Sequence, residues 1–215
     1  AIDEIGLTGD ADSAVSLLDL AIGKNAAEGS AYVQLKAVEA IWRLKIASAE
    51  SLLTELLLQR SIFGFAAPRE LRVAAMQALE KINPEHASRL LLKSGLAPGE
   101  LKIRPLEGGD ANWVRQRRYT RVVPGKSIMA TAVTAKGSYP VALERISLGG
   151  GFATRGARTQ FGSEATLNMN LGPLRQLKSR VLIREAQAGV MFEIADIGMD
   201  ERSKLRKLIA ANSSH

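Results

Sequence analysis

The sequence has no cysteine and only two histidines, His86 and His215, among its 215 residues. The first absence excludes disulfides and thiolate metal sites, and it fits a reducing compartment. The second leaves a histidine-rich metal site or a serine–histidine triad poorly supplied. Aromatic residues make up 5% of the chain, so a core has to rest on Leu, Ile, Val and Ala. No apolar run approaches the roughly 18–20 residues that a membrane-spanning helix needs. The N-terminus shows no signal-peptide pattern. No carboxylate pair, metal cluster or nucleophile–base constellation stands out, so catalysis finds little support. The expectation is a cytoplasmic protein that is not an enzyme and carries no cofactor.

What is present is unevenly placed. The net charge is +7, but residues 1–100 hold 10 Lys and Arg against 13 Asp and Glu, a net of −3. Residues 101–215 hold 19 against 9, a net of +10. Such asymmetry marks a domain boundary and says that the second half favours anions.

Residues 1–95 read as an α-helical repeat domain. Leu17, Leu18 and Ile22 fall on one helical face, as do Val38, Ile41 and Leu44, and then Val73, Met76 and Leu79. Pro68 stands ahead of a run of helix formers. Asn83-Pro84 breaks the pattern, and a shorter helix is expected over 85–93. A shift of 35 residues lays Val38, Ala40, Ile41 and Leu44 on Val73, Ala75, Met76 and Leu79, and Leu52 and Leu56 on Ala87 and Leu91. A period of this length, with two helices per unit, signals an α-solenoid. The stretch from Leu71 to Ala87 resembles a HEAT repeat of the short bacterial type. Ile5 to Leu18 resembles the turn and second helix of an earlier repeat, so the domain is expected to be truncated at its N-terminus, with more repeats upstream; otherwise the first short helix is a cap. Trp42 reads as solenoid core and Phe63 and Phe65 as a loop, in preference to a peptide groove. His86 reads as a surface or capping residue with no partner nearby.

Residues 96–112 read as a linker, rich in Gly and Pro, in which only Leu101-Lys-Ile103 suits a short strand. From 113 to 211 the pattern is that of a small antiparallel β-barrel or sandwich of five to seven strands. Val122 to Lys126 suggests a strand end and turn, and 127–134 is β-compatible. Leu167, Met169 and Leu171 alternate with polar residues, and Val190, Phe192 and Ile194 do the same. A final helix is expected from an N-cap at Asp200, with Leu205, Leu208 and Ile209 as its apolar stripe.

The chemistry concentrates in two stretches. Arg115, Arg117, Arg118 and Arg121 put four guanidinium groups in seven residues. Their planar forks suit phosphate oxygens and flat base faces. Glu144-Arg-Ile-Ser-Leu-Gly-Gly-Gly151 offers a hydroxyl and a backbone that a ligand can approach closely. Together they form a candidate site for an anionic nucleotide. The plainer alternatives are a solvated basic face for the arginines and a bulge or tight bend for the glycines.

Arg117-Arg-Tyr-Thr-Arg121 is similar to the RxxxR motif of PilZ domains. Arg145-Ile-Ser-Leu-Gly-Gly150, beginning 24 residues after Arg121, resembles their (D/N)xSxxG motif. The resemblance spans about residues 113–211 and implies a PilZ-type barrel with a C-terminal helix. It also implies a bacterial receptor for cyclic di-GMP, in which Arg117 and Arg121 clasp the phosphates and stack on or bond the guanines. Ser147 and Gly150 would be strand contacts, with Arg118 and Arg145 secondary. The helical repeats would relay the signal to a protein partner.

One residue departs from that pattern. Arg145 stands where the family has an acid or amide. An Asp or Asn accepts from guanine N1 and N2, whereas arginine only donates. Glu144 is acidic but one position off, and on a regular strand it faces the other way. Gln116 precedes the motif, where a further arginine often goes with an intercalated ligand dimer. The alternative is therefore a degenerate PilZ domain that binds no nucleotide and serves as a protein-interaction module. Nucleic-acid binding, suggested by the +10 half, lacks the interleaved aromatics that single strands favour.

Overall fold

The computed structural model describes residues 2, 5, 13–23, 30–106, 119–155, 163–171, 176–186 and 189–212. The chain divides into two compact units, residues 1–118 and 119–215.

The first unit is helical. Among the described residues its longer helices are α1 (Ala14–Ala21), α2 (Ala31–Leu44), α3 (Glu50–Leu58), α4 (Arg69–Ile82) and α5 (Pro84–Ser94). Helix α2 packs on α1 and α4, and α4 also packs on α3 and α5. The shared interface is apolar: Leu35, Val38, Ile41, Leu53, Leu57, Val73, Met76 and Leu79 are fully buried. Positions 35 apart repeat in burial at Val38 and Val73, Ala40 and Ala75, and Ile41 and Met76. Leu44 and Ile22 are the less buried members of the expected stripes.

Caps explain where the helices stop. Lys45, in the left-handed region at φ +53, ends α2, and Gly95 at φ +63 ends α5. Asn83 ends α4 and starts α5, where its side chain accepts from the His86 backbone N–H at 3.1 Å and Pro84 takes the first helical position. His86 has a partner after all: its Nδ1 lies 2.6 Å from Glu50 Oε1, 36 residues away in sequence.

Two expectations need correction here. The loop around Phe65 is a β-hairpin, β1 (Arg60–Ser61) and β2 (Gly64–Phe65), with Ile62 and Phe63 exposed at its tip. Phe65 is held between the Arg60 and Arg72 guanidinium groups, 3.8 and 3.3 Å from its ring centroid. Arg72 also donates to the Leu57 and Ser94 carbonyls, fastening the hairpin to α3 and α5. Burial brings the Arg72 guanidinium down to about 10, still charged at neutral pH. The second correction concerns 101–103, which are not a strand. Pro98–Lys102 is a 3-10 turn. Glu100 accepts from the Ala97 N–H at 2.8 Å and from Arg69 through two 2.7 Å bonds, which closes the turn against α4. Gln77 donates to the Leu101 and Ile103 carbonyls.

The second unit is a closed six-stranded antiparallel barrel. Its strands are β3 (Ile128–Thr134), β4 (Gly137–Ser147), β5 (Gly150–Arg155), β6 (Glu164–Asn170), β7 (Gln176–Ala186) and β8 (Gly189–Ile197), ordered β3-β4-β5-β8-β7-β6. Alternation decides what points inward: Ala130, Ala132, Leu167, Met169, Val190, Phe192 and Ile194 are all buried. Helix α6 (Met199–Asn212) packs on β4 and β7. It begins one residue before Asp200, which therefore lies in its first turn instead of capping it. Its buried face is Arg202, Leu205, Arg206 and Ile209; Leu208 is half-buried. Two of the four are arginines that the apolar stripe did not anticipate.

Candidate functional site

Ahead of the barrel, Val122 pairs with Ile146 as an isolated antiparallel bridge, its N–H donating at 2.8 Å and its carbonyl accepting at 2.9 Å. Reciprocal bonds of this kind put the flanking residues side by side on one face. Arg121 thus comes opposite Ser147, and Val123 opposite Arg145. Ile146, on the other face, is fully buried in the barrel. The bridge brings the end of the arginine stretch against the serine–glycine strand. Arg121 is half-buried and Arg145 exposed. Arg117 and Arg118 lie outside the described residues.

The serine–glycine stretch is a tight hairpin between β4 and β5, with Ser147 paired to Gly150. The Ser147 side chain is buried; its hydroxyl donates to the Gly150 carbonyl at 2.9 Å and accepts from the Gly149 N–H at 3.3 Å. That turn is an ST-type self-bonding arrangement. Gly150 has φ +145, and a Cβ there would run into the Phe192 carbonyl oxygen of β8. A side chain at Gly151 would meet the Arg145 carbonyl and the Phe192 ring. Glycine is required at both for β5 to lie this close to β8.

Strand β4 is not regular. Its register against β5 shifts between Leu143, paired with Ala153, and Arg145, paired with Phe152. Glu144 is the extra residue of a β-bulge. As a result Glu144 and Arg145 are both exposed, while Leu143 and Ile146 on either side are buried. The expected opposition of Glu144 and Arg145 does not hold.

Beneath the two stretches is a residue that sequence reasoning missed. Arg202 of α6 is fully buried. It donates to the Leu148 carbonyl at 3.1 Å and to the Tyr119 hydroxyl at 2.9 Å. Tyr119 stands within the RxxxR stretch and Leu148 within the hairpin, so one guanidinium ties both to the helix. Asn212 adds a second tie, accepting from the Gly125 N–H at 2.7 Å. The only hint in the sequence is spacing: Arg202 and Arg206 share a helical face with Leu205 and Ile209.

Among the described residues there is no cluster of three or more His, Cys, Asp or Glu able to hold a metal ion. Nor is any helix among them long and apolar enough to cross a membrane.

No protein-family model matches the chain, and no curated protein matches it. Solved structures do. The Bacillus subtilis inhibitor of motility MotI/DgrA is 17% identical, with 47% of this chain covering 54% of that one and a TM-score of 0.36. The chain therefore spans about half the length of that protein. The PilZ domain of YcgR from Escherichia coli, solved with c-di-GMP, is 17% identical over 46% of this chain and 92% of that one, at a TM-score of 0.35. The PilZ domain of CeSA from a cellulose-synthesizing bacterium is 14% identical over 45% and 99%, at 0.34. The chain is thus similar, at low identity and over less than half its length, to structures that include two PilZ domains.

Proposed function

We propose that the barrel is a receptor for cyclic di-GMP and that the helical unit, as a short solenoid, passes the bound state to a protein partner in the cytoplasm. The observation that carries this reading is the Val122–Ile146 bridge, which sets Arg121 opposite Ser147. A ligand with two phosphates and two guanines needs guanidinium forks beside a backbone with no side chains in the way. In this reading Arg117 and Arg121 clasp the phosphates, with Arg118 and Arg145 adding donors. Ser147 and Gly150 shape the hairpin on which a base lies. The relay requires two states of different affinity for the messenger, and the burial repeat at 35 residues supports the solenoid half of it.

A second reading is a PilZ-like barrel that binds no nucleotide and docks a protein. Arg145 in the acceptor position and the internally engaged Ser147 hydroxyl favour it. Equilibrium binding of cyclic di-GMP to the chain and to Arg117→Ala/Arg121→Ala decides between them. The receptor reading expects micromolar or tighter binding that the double substitution abolishes. Equal binding by both proteins refutes the clasp.

A further inference from the structure

We propose that Glu144 is the acceptor that reads the guanine edge of the bound nucleotide, brought into reach by the bulge in β4. The proposal rests on the receptor reading above. On a regular strand Glu144 and Arg145 would lie on opposite faces of the sheet. Here the pairing skips from Leu143 to Arg145, and the burial sequence runs buried, exposed, exposed, buried from Leu143 to Ile146. The acidic side chain therefore emerges next to Arg145. Arg145 in turn shares its face with Ser147 and with Arg121 across the Val122–Ile146 bridge. Among the described residues neither Glu144 nor Arg145 has its charged group in an ion pair.

The chemistry selects the carboxylate. Guanine presents O6 and N7 as acceptors, and N1–H and N2–H2 as donors. Arginines serve the first pair and cannot serve the second. The Ser147 hydroxyl is already engaged within its hairpin. Glu144 can accept from N1–H and N2–H2 together, one on each oxygen. In a pocket that took phosphate alone, a carboxylate at this position is repulsive; for a guanine it is the complement. Its role is thus specificity, whereas the arginines supply attraction.

The test titrates the parent chain, Glu144→Ala and Glu144→Gln with cyclic di-GMP and with the analogue carrying hypoxanthine, which lacks the 2-amino group. The parent prefers the guanine ligand. Glu144→Ala weakens cyclic di-GMP binding about tenfold and shrinks that preference towards none, and Glu144→Gln falls between. A purely electrostatic role gives the opposite result, both ligands binding more tightly to Glu144→Ala with the preference intact. That result, or unchanged affinity and preference, overturns the assignment while leaving the receptor reading in place. A parent chain that binds neither ligand overturns the receptor reading and this assignment with it.

Discussion

Replacing Arg202 with alanine should loosen the barrel and weaken the site together, although Arg202 is buried beneath it. The side chain has no solvent exposure and donates to Leu148 O at 3.1 Å and Tyr119 Oη at 2.9 Å. Truncation removes two charge-assisted bonds and leaves two buried oxygens without this donor. At about 1.5–3 kcal/mol for each such bond, the barrel should lose about 3–6 kcal/mol. In a unit of roughly 100 residues each kcal/mol moves the midpoint by about 4–8 °C, so a fall of at least ~12 °C is expected. Because the chain has two units, a single global unfolding curve mixes them. Amide hydrogen exchange at Ile146, Phe192 and Ile194 reads the barrel alone. Tyr119→Phe removes the 2.9 Å bond from Arg202 and should cost about 1–2 kcal/mol by the same measurement. The pair should be coupled by about 1 kcal/mol in a double-mutant cycle. A loss below ~1 kcal/mol in Arg202→Ala, or strict additivity with Tyr119→Phe, would refute the view that this guanidinium fastens the arginine stretch to the hairpin.

Other substitutions separate tight geometry from open surface. Gly150→Ala forces a side chain into the Phe192 carbonyl at a φ of +145; barrel stability should drop by ~2 kcal/mol or more, read by hydrogen exchange at the same core amides. Phe65→Leu removes the ring held between Arg60 and Arg72 and should cost the helical unit about 1–2 kcal/mol in urea unfolding. Phe63→Ser, two residues away but 98% exposed, should stay within about 0.5 kcal/mol of the parent. Asn83→Ala loses the α5 cap and the 3.0 Å bond to Glu50, and a destabilisation of about 1–2 kcal/mol should appear as earlier melting of the helical unit.

Local periodicity carried much of the fold. Val190, Phe192 and Ile194 alternate in sequence and point into the barrel, and Val73, Met76 and Leu79 line the buried face of α4. What the pattern did not contain was long-range pairing. The β1–β2 hairpin depends on Arg72 reaching across from α4 to Phe65. His86 finds Glu50 only once α3 and α5 are neighbours. Residues 101–103 have strand-compatible side chains, yet Glu100 bonds the Ala97 N–H to close a turn just before them, and Gln77 donates to the Leu101 and Ile103 carbonyls.

At the candidate site, the Val122–Ile146 bridge is a long-range pairing that sets Arg121 beside the serine–glycine strand, and no local pattern contains it. The bulge at Glu144 was not legible, because a single inserted residue leaves no mark on a strand pattern two or three positions long. Arg202 was hidden for a different reason. A charged residue on an otherwise polar helix reads as solvent-facing, and it takes partners such as the Tyr119 hydroxyl and the Leu148 carbonyl to make its burial tolerable.

Calorimetric titration of the chain with cyclic di-GMP, with GTP and cyclic GMP as controls, tests the central claim most directly. The account predicts heat with cyclic di-GMP alone, at one or two ligands per chain. Absence of heat and of any thermal shift, or equal response to the mononucleotides, would contradict it.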